Sequence, residues 1–399
     1  MSSSPSDVAP LVDALAGTGR RLVIASSGGG AAAVSRLVAT PGSSEIILEG
    51  LVPYARAAVD GLLGGPQESY CASRTARRLA VAAWQRARQL QEAEGATADE
   101  AGRRAVGAAI TAGLRTRRPK RGEHRAIVAV QTRDATRVVE VVLDKEARSR
   151  AEEETVAADL VLGEIAAACG VAGAAEPALR ETDRVHRDLA EPPEAWRELF
   201  AGGRRAVAAG GVAGDAAGSA AALPTAGSLV FPGSFDPLHE GHLLMARIAE
   251  EIAERTLTWE ISVANVDKPT LDYIEMRDRT AQFTDRPLWL TRAATFVEKL
   301  DVFPESTFVM GADTFVRLAD RRYYGGSAAA ATRAVKAIAA RARGLIVFGR
   351  EQRGVFQEAA TIEVPKALKD VAYFVSQREF RLDISSTQLR RQALAADGG

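Results

Sequence analysis

Residues 229–247 read LVFPGSFDPLHEGHLLMAR, and their pattern decides how the second half of the chain folds. Leu229, Val230 and Phe231 form the end of a buried strand, closed by Pro232 and Gly233. From Glu240 onward Leu243, Leu244, Ile248 and Ile252 recur at helical spacing. The unit is a strand, a tight Gly/Ser/Asp/Pro turn and a helix. Such a turn lets backbone N–H groups approach a phosphate, and the helix N-terminus adds the positive end of its dipole. His239 and His242 stand three apart at that end, so both imidazoles can face one side of the first turn. Gly241 lies between them, where a side chain would crowd a ligand.

A zinc pair is disfavoured, because the other histidines are His124 and His186 and both cysteines, Cys71 and Cys169, lie far off in the chain. No metal ligand is therefore assigned. The run Gly233-Ser234-Phe235-Asp236-Pro237-Leu238-His239-Glu240-Gly241-His242 resembles the HxGH motif of the nucleotidyltransferase superfamily. Three further features follow in order. Val266-Asp267-Lys268-Pro269 comes after the strand Thr258–Ala264, with Arg277 shortly beyond. Gly311-Ala312-Asp313 ends the strand at 306–310, and Ile384-Ser385-Ser386-Thr387-Gln388-Leu389-Arg390 opens a terminal helix. The last is similar to the ISSTxxR motif of the same superfamily.

The resemblance implies a Rossmann-like domain with a parallel sheet over residues 228–399. It implies His239, His242 and Arg390 as the catalytic groups. Gly233, Ser234, Phe235, Gly311, Asp313, Ser385, Ser386 and Thr387 would hold ATP, with Mg²⁺ as cofactor. Gly311-Ala312-Asp313 and the ISST form are most similar to nicotinamide/nicotinate mononucleotide adenylyltransferases. By that likeness Lys268, Arg277 and Tyr324 would contact the acceptor, Tyr324 by stacking on its ring. Transfer of AMP to a nicotinamide or nicotinate mononucleotide, a step of NAD biosynthesis, is the implied reaction. A non-pyridine acceptor, a CTP donor, and a nucleotide-sensing regulator without turnover stay open as alternatives.

The first half reads as a separate α/β domain over residues 10–170, after a tail at 1–9. Leu11, Val12 and Leu15 suggest a helix, Arg21–Ala25 a strand, and Ser26-Ser27-Gly28-Gly29-Gly30 a turn into the next helix. That turn is equally a tight structural turn or a ligand loop; it lacks the Walker ending and does not match GxGxxG. Residues 73–92 form an amphipathic helix, 105–113, 124–132 and 137–144 strands, and 147–169 a helix. Between two of the strands LRTRRPKRGE carries Arg115, Arg117, Arg118, Lys120 and Arg121 against Glu123. With no aromatic interleaved, base stacking is not suggested; the segment is a solvated loop or a phosphate contact.

The order SSGGG, PGSS, a glycine-containing strand ending in Tyr54, then LLG looks like the CinA C-terminal domain. That family includes amidohydrolases converting nicotinamide mononucleotide to nicotinate mononucleotide. By its spacing the nucleophile would be Ser44, with Tyr54 beside it. The family places a lysine five residues after this tyrosine, and here that position is Val59. A serine needs a base to take its proton, which valine cannot do. The resemblance therefore implies a vestigial site in a binding, scaffold or dimerisation module, so a homo-oligomer through this domain is left open.

Residues 171–200 read as a charged helical segment and 201–227 as an Ala/Gly-rich linker, spanning roughly 30 Å as a flexible coil. The chain has 399 residues, enough for two cores, and balances 51 basic against 51 acidic residues, so nothing points to nucleic acid or a membrane surface as partner. Two unrelated cysteines and an N-terminus without a secretory pattern lead to the expectation of a cytoplasmic protein acting on small nucleotides.

Overall fold

The computed structural model describes residues 7–209, 224–265, 270–352, 355–357 and 361–376. The chain separates into two compact units, Met1–Arg197 with Lys268–Glu275, and Glu198–Asp267 with Met276–Gly399. Both are α/β, as expected.

In the first unit helix α1 (Ala9–Thr18) leads to strand β1 (Arg21–Ser27), α2 (Ala31–Val38), β2 (Ile47–Leu51), α3 (Arg56–Leu63), α4 (Ser73–Ala93) and α5 (Ala98–Arg104). Strands β3 (Ala105–Gly113), β4 (His124–Gln131) and β5 (Thr136–Leu143), helix α6 (Arg150–Cys169) and strand β6 (Arg184–Ala190) complete it. The sheet runs β2-β1-β3-β4-β5-β6; β1 is parallel to β2 and β3, and the rest is an antiparallel meander. Leu11, Leu15, Leu37, Val156 and Ile165 from the helices bury Leu22, Ile24, Val106, Ile110 and Val128 of the sheet.

The second unit takes α7 (Glu194–Ala201) with strand β7 (Ala206–Ala209), then β8 (Leu229–Pro232), α8 (Glu240–Ala253), β9 (Leu257–Ser262), α9 (Tyr273–Thr280) and β10 (Leu288–Thr291). It continues with α10 (Phe296–Val302), β11 (Thr307–Gly311), α11 (Ala312–Arg317), α12 (Ala328–Arg341), β12 (Gly344–Phe348), the hairpin β13–β14 (Arg350–Gln352, Val355–Gln357) and β15 (Ala372–Val375). The sheet order is β15-β12-β11-β8-β9-β10-β7, parallel throughout except β7, which pairs antiparallel with β10. Counting only parallel strands in chain order, this is the doubly wound order 3-2-1-4-5-6, with its reversal between β8 and β11. Phe308, Phe315, Phe303, Leu345 and Val347 fill the core beside β11 and β12.

The connecting region departs from expectation. Residues 184–190, read as part of a helical segment, are β6, an edge strand pairing with β5. Most of its side chains are exposed on both faces, which erases the apolar alternation a strand needs to be recognised. Residues 206–209, read as linker, are β7, the antiparallel edge of the second sheet; Val207 and Ala209 are buried there. Four small residues are too few to carry a period. The first unit therefore extends beyond residue 170, and the second starts before 228. Among the described residues no helix is long and apolar enough to cross a membrane.

Candidate active site

Strand β8 ends at Pro232, and the turn that follows is held to β9 by Gly233 N–H donating to the Glu260 carbonyl at 2.9 Å. Phe235 adopts a positive φ of 43°, unusual for a residue with a side chain, and its ring is turned inward. There it meets Phe231 edge-on at 5.4 Å, Trp259 at 5.0 Å and Phe283 at 5.4 Å. A Cβ on Gly233 would lie 2.4 Å from the Phe235 ring, so only glycine fits against that cluster. Phe235 was expected to contact ATP. Its side chain is buried, so what the turn offers a ligand at this position is backbone.

His239 is the N-cap of α8, and His242 stands in the helix's first turn. Their rings stack with centroids 3.7 Å apart and planes 21° from parallel. The His239 backbone N–H donates to Nδ1 of His242 at 3.3 Å. An Nδ1 that accepts a hydrogen bond carries no proton, so the proton of His242 sits on Nε2, leaving that atom a donor. The edge of Phe235, 5.0 Å away and nearly perpendicular, packs against the His242 ring and limits its rotation.

Two residues that the sequence did not single out brace the turn. Arg279 sends Nη1 to the Ser234 carbonyl at 3.2 Å and Nη2 to the Asp236 carboxylate at 3.5 Å. Gln282 accepts from the Leu238 N–H at 2.8 Å and donates to the Phe235 carbonyl at 3.0 Å. Four residues of the turn, Ser234, Phe235, Asp236 and Leu238, are thus held from one neighbouring segment. Arg277, expected to contact the acceptor, pairs with its neighbour Asp278 at 2.9 Å on a half-exposed surface. The two arginines are alike in YIEMRDR; only the placement of α9 decides that Arg279 faces the turn. Gln282 stands three residues further on, in the turn just past the end of α9.

Beneath the turn lies a buried ion pair. Lys299 Nζ reaches Glu260 at 2.7 and 2.8 Å and the Ala293 carbonyl at 3.0 Å, and the Thr291 hydroxyl also donates to Glu260. Every charge there has partners, as buried charges require.

Across the reversal point, β11 ends at Gly311, next to the end of β8. The Asp313 carboxylate lies over Gly311, where a Cβ would come within 2.7 Å, and pairs with Arg317 at 3.2 Å. The HxGH turn and Gly311-Ala312-Asp313 therefore follow the carboxyl ends of two adjacent parallel strands, the place where ligands bind in open α/β sheets. Tyr324 is half-buried in a 3₁₀ turn (Arg321–Tyr324); its hydroxyl donates to the Leu318 carbonyl at 2.9 Å, and burial raises its pKa. Lys268, Ser385, Ser386, Thr387 and Arg390 lie outside the described residues.

In the first unit the expected vestigial pair is not assembled. Ser44 belongs to a 3₁₀ turn (Ser43–Glu45) before β2, whereas Tyr54 follows β2 and is 73% exposed. An extended strand rises roughly 3.3 Å per residue, so the two stand at opposite ends of β2 rather than side by side. Val59 is 2% exposed on the inner side of α3. The SSGGG turn is explained by packing: Cβ atoms at Gly28, Gly29 and Gly30 would come within 2.0, 2.6 and 2.8 Å of Ala112, Leu114 and Ile110. The glycines let the turn lie flat on β3 and the segment just after it.

Residues 230–392 match the cytidylyltransferase-like family model. The N-terminal part is similar to solved structures of the competence-damaged protein (CinA) superfamily. One from Escherichia coli is 18% identical, covers 41% of this chain and 91% of its own, and has a TM-score of 0.33. The competence/damage inducible protein CihA from Agrobacterium tumefaciens is 21% identical, with 43% and 99% covered and a TM-score of 0.34. A protein from Enterobacter asburiae is 19% identical, with 41% and 99% covered and a TM-score of 0.33. No curated protein matches the chain significantly. Over residues 230–392, which include the stacked histidines at the start of α8, this chain carries a cytidylyltransferase-like domain.

Proposed function

We propose that the second unit transfers AMP from ATP to a phosphorylated acceptor, a nicotinamide or nicotinate mononucleotide, and releases pyrophosphate. The observation that carries this reading is the His239–His242 stack at the N-terminus of α8, beside the strand-order reversal. An acceptor phosphate oxygen attacks the α-phosphorus; a new P–O bond forms as the bond to pyrophosphate breaks. The acceptor is already anionic near neutral pH, so no strong base is needed. The work left to the protein is alignment and neutralisation of charge.

His242 Nε2–H is suited to donate to an α-phosphate oxygen, and the N-terminus of α8 adds its dipole there. The turn Gly233–Phe235 offers backbone, held by Arg279 and Gln282. Asp313 is placed to meet ribose hydroxyls, and Ser385, Ser386, Thr387 and Arg390 are assigned to the β- and γ-phosphates. Lys268, Arg277 and Tyr324 are assigned to the acceptor; the pair with Asp278 engages only part of the Arg277 guanidinium. Mg²⁺ would enter as a complex with the phosphates of the nucleotide. Bound there, it would neutralise phosphate charge.

The test is pyrophosphate release by the full chain with ATP or CTP against a panel of phosphorylated acceptors. Turnover with either pyridine mononucleotide supports the reading. Turnover only with another acceptor, or none at all, overturns the substrate assignment.

A further inference from the structure

The loop after β3 and the loop before α6 line an open cavity of about 1100 Å³ within the first unit. Its wall carries Arg115, Arg117, Lys120, Lys145, Arg148 and Arg150, against only two carboxylates, Glu146 and Glu152. Some of this charge is already answered. Arg148 makes a two-point pair with Asp183 at 2.6 and 3.0 Å, and Arg150 pairs with Glu154 at 2.9 Å. Glu152 is itself tied to the Ser149 N–H at 2.7 Å.

Among the described residues the other four cations make no ion pair. Arg115 donates to the carbonyls of Arg148 at 2.9 Å and Lys145 at 3.4 Å. Lys145 donates to the Arg121 carbonyl at 2.9 Å, and Lys120 to the Gly113 carbonyl. Among the described residues, neither these three nor Arg117 has a carboxylate ion-pair partner. Carbonyl dipoles orient such side chains but leave their full charge in place, and like charges crowded on one wall repel.

The wall is also built rather than floppy at its base. His124, buried, bonds through Nδ1 to Glu153 at 2.6 Å, and the other Glu153 oxygen accepts the Arg115 N–H at 2.5 Å. That carboxylate anchors the start of the basic loop. The N-terminus of α6, a helix of 20 residues, opens on the same cavity through Ser149 and Arg150. Apart from the His124 ring the wall holds no aromatic side chain, so nothing there would stack on a base.

We propose that this cavity binds the oligophosphate group of a small molecule, a chain of two or more phosphates read by charge and not by its nucleoside. A monoanion would answer one of the unpaired cations. A di- or triphosphate spans several at once, which is what their arrangement around a single concavity favours over an extended track for a polynucleotide. The cavity belongs to the first unit, whereas the proposed transferase residues belong to the second.

The test compares the full chain with the variant Arg117→Ala/Lys145→Ala by titration calorimetry. The probes are inorganic triphosphate, orthophosphate, ATP and a single-stranded oligonucleotide. Both variant positions lie on loop surfaces, and an unchanged melting temperature confirms folding. Arg187→Ala, on β6 and outside the cavity wall, is the control. Inorganic triphosphate and ATP are expected to lose about 10- to 100-fold in affinity in the double variant and nothing in the control. Orthophosphate is expected to bind the wild type at least about tenfold more weakly than triphosphate. The proposed transferase residues are intact in all three proteins, so the difference reports the cavity alone, whether or not the chain turns over. Unchanged triphosphate affinity in the double variant would overturn the proposal. So would equal binding of orthophosphate and triphosphate, a loss confined to ATP, or tighter binding of the oligonucleotide.

Discussion

The imidazoles of His239 and His242 are stacked 3.7 Å apart, and the backbone N–H of the first holds Nδ1 of the second at 3.3 Å. One residue thus sets the ring position and the proton location of the other. A donor aimed in advance costs no reorganisation when charge develops on a phosphate oxygen. His242→Ala is therefore expected to lower kcat by about 10²–10³ with the fold retained. Near-normal pyrophosphate release by a variant with an unchanged circular dichroism spectrum would remove His242 from the reaction.

Arg279 and Gln282 touch the turn, not the reacting atoms, so they are positioning residues. Arg279→Ala should lower kcat/KM about 10- to 100-fold through misplacement of the phosphate cradle. Arg279→Lys, which keeps the charge but not the two-point reach to Ser234 and Asp236, should recover part of it. Gln282→Ala should act in the same direction, and its effect should be less than additive with Arg279→Ala, because both hold one turn. Strict additivity in that double-mutant cycle would show that the two act independently.

Tyr324 is tethered through its hydroxyl to Leu318, which fixes the ring's orientation. If that ring stacks on the acceptor, Tyr324→Ala raises the acceptor KM about 5- to 150-fold, from a stacking worth roughly 1–3 kcal/mol. The KM for ATP should hardly change, since a lost binding contact acts on its own ligand. Tyr324→Phe, losing only the tether, should fall between. An equal rise in both KM values would place Tyr324 elsewhere.

The first unit is expected to release no ammonia from nicotinamide mononucleotide. Ser44 and Tyr54 stand at opposite ends of β2, and Val59 is buried where a lysine would be needed. Installing that lysine should not restore a site. Val59→Lys would instead bury a charge and destabilise the unit by about 1–3 kcal/mol. Ammonia release by the wild type that Ser44→Ala abolishes would contradict this.

A charge effect on stability is expected at the start of α6. Glu152 accepts the Ser149 N–H, and that bond, with the Ser149 hydroxyl, holds its carboxyl below the ordinary 4.5. A pKa depressed by folding means the stabilisation is present above the unfolded value and lost as pH falls through the folded one. Glu152→Gln keeps an acceptor but no charge. Its melting temperature should lie below the wild type at pH 7, and the two should converge as acid protonates Glu152. A gap of the same size at acid pH would show that the charge contributes nothing.

The strand-turn-helix at 229–247 was legible because every part of it is local. A strand end, a glycine turn and two histidines one helical turn apart depend only on backbone geometry within about twenty residues. The same holds for α4, for β3 to β5 and for the strand at 307–311, whose apolar periods are strong. Where the period was short or masked it failed. β6 is exposed on both faces and β7 has four small residues, so pairing with β5 and β10, not propensity, makes them strands.

What the chain's order could not contain is the adjacency of β8 and β11, separated by two strands in sequence yet neighbours in the sheet. That adjacency alone brings the segments carrying the histidines and Asp313 to the carboxyl ends of neighbouring strands. The choice of Arg279 over Arg277, the burial of Phe235 and the separation of Ser44 from Tyr54 are of the same kind. Each depends on which face of an element meets which neighbour, a matter settled by the burial of apolar surface across the whole unit. The residue types needed for phosphate chemistry are written in the sequence; which of them meet is decided by packing.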